Sequence, residues 1–375
     1  MRKSIFERTK ALQITAVVAA ITMLSCLAIA LAGCSVSVPS NASSTRTVTD
    51  AIGRTVELPE TVKSAAIDGY ATRMVVYAGA ADKLVGVSDM DKKDAVGMPY
   101  QYANKEAFSK LPSTSAGGSK NIAYEEEIAK LSPDVIVSTE TDAGTNDELQ
   151  EKTGVPVIVI SQNDVFGEDT YQSLSMLGEV FGTKDHTDKV VSAMKEWQKD
   201  LNDRTKDIPD SSKPTCYSGA VSFKGPHGFE GTYAKYMPFV AVNAKNVVDE
   251  TEQAGAMIID LEKVAAWNPD YIFLNPQNMQ LVNQGYEFNP DFYNNLKAVQ
   301  NGNVYSQPSY NYNGTNLELA VADAYYAGKV IYPDQFTDVD MDEQADKIFQ
   351  TLLGASYLQT LKDAGLGFNK LTIGA

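Results

Sequence analysis

A glycine- and proline-rich stretch, Ser222-Phe223-Lys224-Gly225-Pro226-His227-Gly228, places an ammonium and an imidazole three residues apart. Lys224 and His227 suit an anionic ligand, or the His227 imidazole could coordinate a metal directly. A second set follows an apolar stretch ending at Ile67. There Gly69 permits close approach, Tyr70 offers a ring and a hydroxyl, and Arg73 offers a planar fork to an anionic group. The structural alternative is that Tyr70 packs and Arg73 pairs with a neighbouring acid. Two further loops carry Asn275 and Gln277, and Tyr310, Tyr312 and Asn313. Aromatic platforms with amide donors suit a chelate or macrocycle, in which apolar area supplies affinity and a few polar groups fix orientation. Alternatively, the second of these loops is a turn of residues that tolerate left-handed backbone.

Catalytic chemistry is harder to find. The chain has only two His, His186 and His227, with neither a H-E-x-x-H pair nor a G-x-S-x-G elbow. A secreted metal-dependent hydrolase would normally show two or three closely spaced His, so the reading is of a protein that is not an enzyme and needs no cofactor. His186, at the start of a polar helix, is expected to face solvent. Lys plus Arg is 32 against 48 for Asp plus Glu, a net charge of −16, which argues against a nucleic-acid partner.

The elements that must position these side chains begin after an export segment. Arg2, Lys3, Arg8 and Lys10 precede an apolar run from Ala11 to Ala32, the pattern of a signal sequence. Its ending, Leu31-Ala32-Gly33-Cys34, resembles the bacterial lipobox, which implies cleavage after residue 33 and lipid on Cys34. The membrane is then touched only through that anchor. Residues 34–46 read as a flexible polar tether. Cys26 departs with the signal, so Cys216 has no partner for a disulfide and is expected to be a buried apolar residue.

The mature chain carries an internal repeat. EEEIAKLSPDVIV at 125–137 and LEKVAAWNPDYIF at 261–273 align on Pro133 and Pro269, sharing Glu126 and Glu262, Ala129 and Ala265, and Asp134 and Asp270. Each reads as a short helix stopped by Pro and followed by a strand. Apolar strands are expected at 64–67, 84–87, 135–138 and 155–160, then at 215–221, 271–274 and 304–306. Helical segments lie between them, as at 72–80 and 146–153. The fold class is therefore α/β: two Rossmann-like lobes with mainly parallel sheets, an N-terminal lobe at 47–182 and a C-terminal lobe at 209–375. Between them, 183–208 carries Val190, Met194, Trp197 and Leu201 on one stripe and reads as a single long interlobe helix. Ligands on such sheets sit beyond the carboxyl ends of the strands, which also brings in the loops at 88–90 and 139–141. The segment 98–118 reads as an irregular insertion that could roof the cleft.

Several segments together resemble one family. They are TVTDAIGRTVELP at 47–59, GAAD at 79–82 with LVGVS at 84–88, LGEVFG at 177–182, LKAVQNGNVY at 296–305, the lipobox and the two Pro-Asp units. Their order resembles the helical-backbone (class III) substrate-binding lipoproteins of ABC transporters, which serve ferric siderophores, haem and vitamin B12. The resemblance implies a ligand cleft between the lobes, with the Lys224–His227 loop at a usual contact position. It also implies docking on an ABC permease, and through it the ATPase, by one acidic residue per lobe, here Glu126 and Glu262. The implied protein is a monomer on the outer side of the cytoplasmic membrane, or periplasmic, taking part in iron and metal uptake. A ferric, siderophore-like chelate is the leading ligand, with molybdate or tungstate, cobalamin and haem as alternatives.

Overall fold

The computed structural model describes residues 44–375, beginning with an antiparallel hairpin of β1 (Thr45–Thr49) and β2 (Thr55–Pro59). The signal segment, Cys34 and most of the tether lie outside the described residues. Thr45 and Arg46, expected at the end of the tether, already belong to β1. Arg46 holds the strand down by donating to the carbonyls of Glu179 at 3.0 Å and Val180 at 2.8 Å.

The N-terminal lobe is built on β3 (Ala65–Asp68), β4 (Leu84–Ser88), β5 (Ser113–Ser115), β6 (Val135–Ser138) and β7 (Val157–Val159). They form one parallel sheet in the order β5-β4-β3-β6-β7. β3 and β6 are buried along their whole length, as near-continuous apolar strands covered on both faces must be. The segment 98–118 is more ordered than expected: two short helices, Pro99–Tyr102 and Lys105–Phe108, lead into edge strand β5. Burial of Tyr100 and Phe108 pins it.

The C-terminal lobe contains β8 (Thr215–Gly219), β9 (Gly231–Ala234), β10 (Lys245–Asn246), β11 (Gly255–Ile258), β12 (Tyr271–Leu274) and β13 (Val304–Ser306). A parallel sheet runs β10-β8-β12-β13, and β9 and β11 make a separate antiparallel pair. Cys216 is free and buried on β8.

The helices that join the lobes or carry the repeat are α1 (Thr72–Tyr77), α2 (Glu125–Leu131), α3 (Lys184–Thr205), α4 (Leu261–Trp267), α5 (Leu317–Ile331) and α6 (Met341–Leu353). Helix α3 has 22 residues, roughly 33 Å at 1.5 Å per residue. All four residues of its expected stripe are buried, together with Thr187 and Thr205. Helices α5 and α6 pack along α3, and α6 also reaches α1. One apolar core thus runs from the N-terminal lobe through α3 into the last helices, while a second fills the C-terminal sheet. Arg204 locks the end of α3 with a two-pronged bond to Asp338 at 2.7 and 2.9 Å. His186 is half-buried rather than solvent-facing, with Nε2 3.1 Å from the Tyr77 carbonyl, because α1 lies beside the start of α3.

The internal repeat has a structural cause. α2 ends at Ser132 (φ 47°) and α4 at Asn268 (φ 45°), each in left-handed backbone. After the Pro, Asp134 accepts from the Lys63 and Ser64 amides at 2.7 and 3.0 Å. Asp270 accepts from the Thr215 amide at 2.8 Å and its hydroxyl at 2.9 Å. In each lobe the carboxylate closes the leading end of the strand that neighbours its own, β3 beside β6 and β8 beside β12. An amide at a strand start has no ladder partner of its own, and the Asp supplies one.

Candidate functional site

The carboxyl ends of both sheets open onto one cavity of about 830 Å³. Its walls come from the segments that follow β3, β4, β5, β8, β12 and β13, as the rule for parallel sheets requires. From the N-terminal lobe come Tyr70, Met90 and the turn Gly117-Gly118-Ser119-Lys120. The C-terminal lobe contributes Ser222-Phe223-Lys224-Gly225-Pro226, Gln277 and Asn278, Ser309, and Asn311-Tyr312-Asn313-Gly314.

Much of each wall is held by bonds within its own lobe. After β3 the chain turns at Gly69 with φ 78°, and a Cβ there would lie 2.1 Å from the Thr139 hydroxyl, so only glycine fits. Asp68 is buried and accepts from Asn121 at 2.6 Å and Ser138 at 2.8 Å. Asn121 in turn accepts from the Gly117 amide at 2.9 Å, which fixes the turn that presents Lys120. On the other wall, Asn278 donates to the Ala220 carbonyl at 2.7 Å and the Ser222 hydroxyl at 2.9 Å. Ala220 and Lys224 both adopt positive φ, 58° and 51°. For residues with a Cβ this is uncommon backbone.

Of the residues singled out from sequence, Tyr70, Lys224, Gln277, Tyr312 and Asn313 line the cavity. Arg73, His227, Asn275 and Tyr310 stand behind its walls instead. Arg73 is fully buried and donates to the Asn313 carbonyl and, at 3.3 Å, to that of Tyr312. The pairing alternative for Arg73 also gives way: Tyr100 and two carbonyls are its partners, and Asp91 is reached only through the Tyr100 hydroxyl. His227 stacks on Phe223 at 4.1 Å with Nε2 2.8 Å from the Phe223 carbonyl, so it braces the loop. Asn275 is buried, accepts from the Gln277 amide at 3.2 Å and donates to Ser222 at 3.4 Å. Tyr310 is buried against Tyr236, and that burial pushes its phenol well above the usual range.

Lys120 also lines the cavity, and nothing in the sequence marks a lysine on a turn as different from any surface lysine. With it, the cavity lining holds two cations, one from each lobe, and among the described residues no carboxylate. In a chain of net charge −16 that is a local inversion of sign. Such a cleft attracts anions and repels cations. Around it, Tyr70, Phe223 and Tyr312 provide aromatic surface and Ser222, Gln277, Asn278, Asn311 and Asn313 provide hydroxyl and amide groups. No group of three or more His, Cys, Asp or Glu among the described residues could hold a metal ion by side chains alone.

The repeat glutamates lie elsewhere. Glu126 and Glu262 occupy the first turns of α2 and α4 and are exposed. Glu125 pairs with Lys152 at 3.0 Å and Glu127 with Lys130 at 3.5 Å, whereas neither Glu126 nor Glu262 forms an ion pair among the described residues.

The sequence model of a family described as periplasmic binding protein matches residues 65–310. The molybdate-binding protein MolA of Haemophilus influenzae is 25% identical over 333 residues, covering 83% of this chain and 92% of MolA. The structure of MolA bound to molybdate superimposes with a TM-score of 0.66 over 83% of this chain and 99% of that one. A periplasmic solute binding protein of Veillonella parvula gives a TM-score of 0.71 at 19% identity, covering 86% of this chain and 98% of its own. An uncharacterized ABC transporter substrate-binding lipoprotein of Bacillus subtilis, YvrC, is 25% identical over 202 residues, 53% of this chain and 59% of YvrC.

Proposed function

This chain belongs to the periplasmic binding protein family, and from that premise we propose that it captures an anionic metal species between its lobes for an ABC importer. The observation that carries the reading is the Lys120 and Lys224 pair, one from each lobe, in a cavity lining without a carboxylate. A ligand bridging both ammonium groups is held by each lobe at once. The role is binding and delivery rather than catalysis.

Among anions, the leading ligand is a ferric chelate. A cavity of about 830 Å³ with three aromatic rings in its wall matches a ligand of small-molecule size that buries apolar area. A tetrahedral oxyanion, molybdate or tungstate, is the second reading, supported by the relationship to MolA across most of both chains. Haem and cobalamin are weaker fits, because neither His lines the cavity to ligate a metal centre there.

Delivery requires a permease. Glu126 and Glu262 are the proposed docking groups, since each is exposed and unpaired among the described residues at the same place in its lobe. Complementary charge at such sites sets orientation and encounter rate. Lipid on Cys34 is the proposed anchor, in keeping with YvrC being a lipoprotein, and the protein is proposed to work as a monomer.

A titration of the protein beginning at Ser35 with sodium molybdate, sodium tungstate and ferric citrate tests the ligand reading. Saturable binding of an anion that weakens as salt rises supports it. Binding confined to neutral or cationic solutes would overturn it.

A further inference from the structure

Arg73 does not touch the cavity, yet its guanidinium ends against the cavity wall. It enters from α1 of the N-terminal lobe, with Cζ over the Tyr100 ring, 4.6 Å from its centroid. Its Nη2 donates to the Tyr100 hydroxyl at 3.2 Å and to the carbonyls of Tyr312 and Asn313 on the C-terminal lobe. The same loop is gripped a second time, because the Asn313 side chain accepts from the Gly118 amide at 2.9 Å. Tyr312, Asn313, Gly314 and Gly118 all line the cavity.

The loop is closed by its own bonds, such as that from the Thr315 hydroxyl to Asn311 at 3.0 Å, and its tip is held in addition from the facing lobe. Asn313 and Gly314 are consecutive residues at positive φ, 54° and 94°. A Cβ on Gly314 would lie 2.5 Å from Arg73 Nη1 and 2.8 Å from the Tyr70 ring. Meanwhile Nε and Nη1 of the buried Arg73 find no partner among the described residues. A buried cation with three of its five N–H donors idle is costly for stability, so stability alone is a poor reason for it.

We propose that Arg73 is a positioning residue. From the N-terminal lobe it fixes the backbone of the facing wall, Tyr312 to Gly314, and so sets the width of the ligand cavity. The consequence for ligand choice rests on reading that cavity as the solute site, whereas the consequence for the loop does not.

The test compares Arg73→Lys, Arg73→Gln and Tyr100→Phe with the parent by backbone hydrogen exchange and by titration with sodium molybdate and ferric citrate. The reporter amides are those of 311–316, where the Asn316 amide bonds the Tyr310 carbonyl at 2.7 Å. Both Arg73 variants should speed exchange there about tenfold, and weaken whichever probe binds the parent about tenfold, the scale of one lost charged hydrogen bond. Strands β3 and β8 should exchange as before. Lysine does not rescue, because its side chain ends one bond short of the place from which Arg73 Nη2 serves the Tyr312 and Asn313 carbonyls, and it has no planar group to set against Tyr100. Full rescue by lysine would mean that charge alone matters and would overturn positioning. Uniform acceleration across the whole chain, or no change at 311–316, would do the same. Should Arg73→Gln fail to fold, Tyr100→Phe decides: it keeps the ring and is expected to loosen the same loop alone. If neither probe binds the parent, the ligand reading fails while the exchange result still decides the positioning claim.

Discussion

The Tyr77 hydroxyl, on α1, donates to the Glu318 carboxyl, on α5, across the junction of the lobes, and also accepts from the Leu317 amide at 3.2 Å. Both side chains are fully buried. Burial pushes the Glu318 carboxyl up to about 7, and the bond from Tyr77 only partly opposes it. Between the unfolded value near 4.5 and about 7 the folded state keeps a proton that the unfolded state has released. Stability therefore falls as pH rises through that window and levels off above it. Glu318→Gln, neutral at every pH, should remove about 3 kcal/mol of that fall. Urea unfolding at pH 5 and pH 8 measures it, and an equal fall in parent and variant would rule the assignment out.

The strand-closing Asp of each lobe should matter to that lobe. Burial raises the Asp270 carboxyl, but bonds from Lys297 and Thr215 outweigh this and hold it below the usual carboxylate range. Its contribution is present above the unfolded pKa and is lost as pH falls through the depressed folded one. Asp270→Ala should cost about 1–3 kcal/mol at neutral pH, with the gap to the parent narrowing in acid. Chemical denaturation at pH 7 and pH 3 checks both statements.

The interlobe helix should fail through its stripe. Leu201 is fully buried against the shared core, and Leu201→Ala should cost about 2–5 kcal/mol. Exposed Lys189 on the same helix, changed to Ala, should cost well under 1 kcal/mol. Paired melting curves separate the two.

Docking and capture should be separable. Glu126→Ala with Glu262→Ala removes two exposed charges, neither of which lines the cavity. Solute affinity should stay within about twofold, while uptake by cells carrying the cognate permease is lost. Retained uptake would remove these glutamates from the docking surface.

Much of the architecture was legible because its causes are local. The strands around Ile67, Val137 and Phe273 are short apolar runs with abrupt ends, and the stripe of α3 repeats at helical spacing. The β9–β11 pair was not foreseen, since Gly231–Ala234 and Gly255–Ile258 are short and flanked by glycine, and pairing between them is non-local. The site divides the same way. Loop position predicts most of the segments that reach the cavity, though 139–141, after β6, is not in its lining, and it does not predict which side chains turn toward it. Lys224 and Tyr312 point in, whereas His227 bends back to its own loop and Arg73 is drawn behind the wall by Tyr100. Lys120 became visible only when β5 proved to be a strand of the sheet, which carries the following turn to the cleft.

Two lysines from opposite lobes are expected to select the anion. The most direct measurement is a calorimetric titration of the parent, of Lys120→Gln with Lys224→Gln, and of His227→Ala, with molybdate, tungstate and ferric citrate at low and high salt. The double variant should bind at least about tenfold more weakly, with a flattened salt dependence, and His227→Ala should keep most of the affinity. Unchanged anion affinity in the double lysine variant would contradict it.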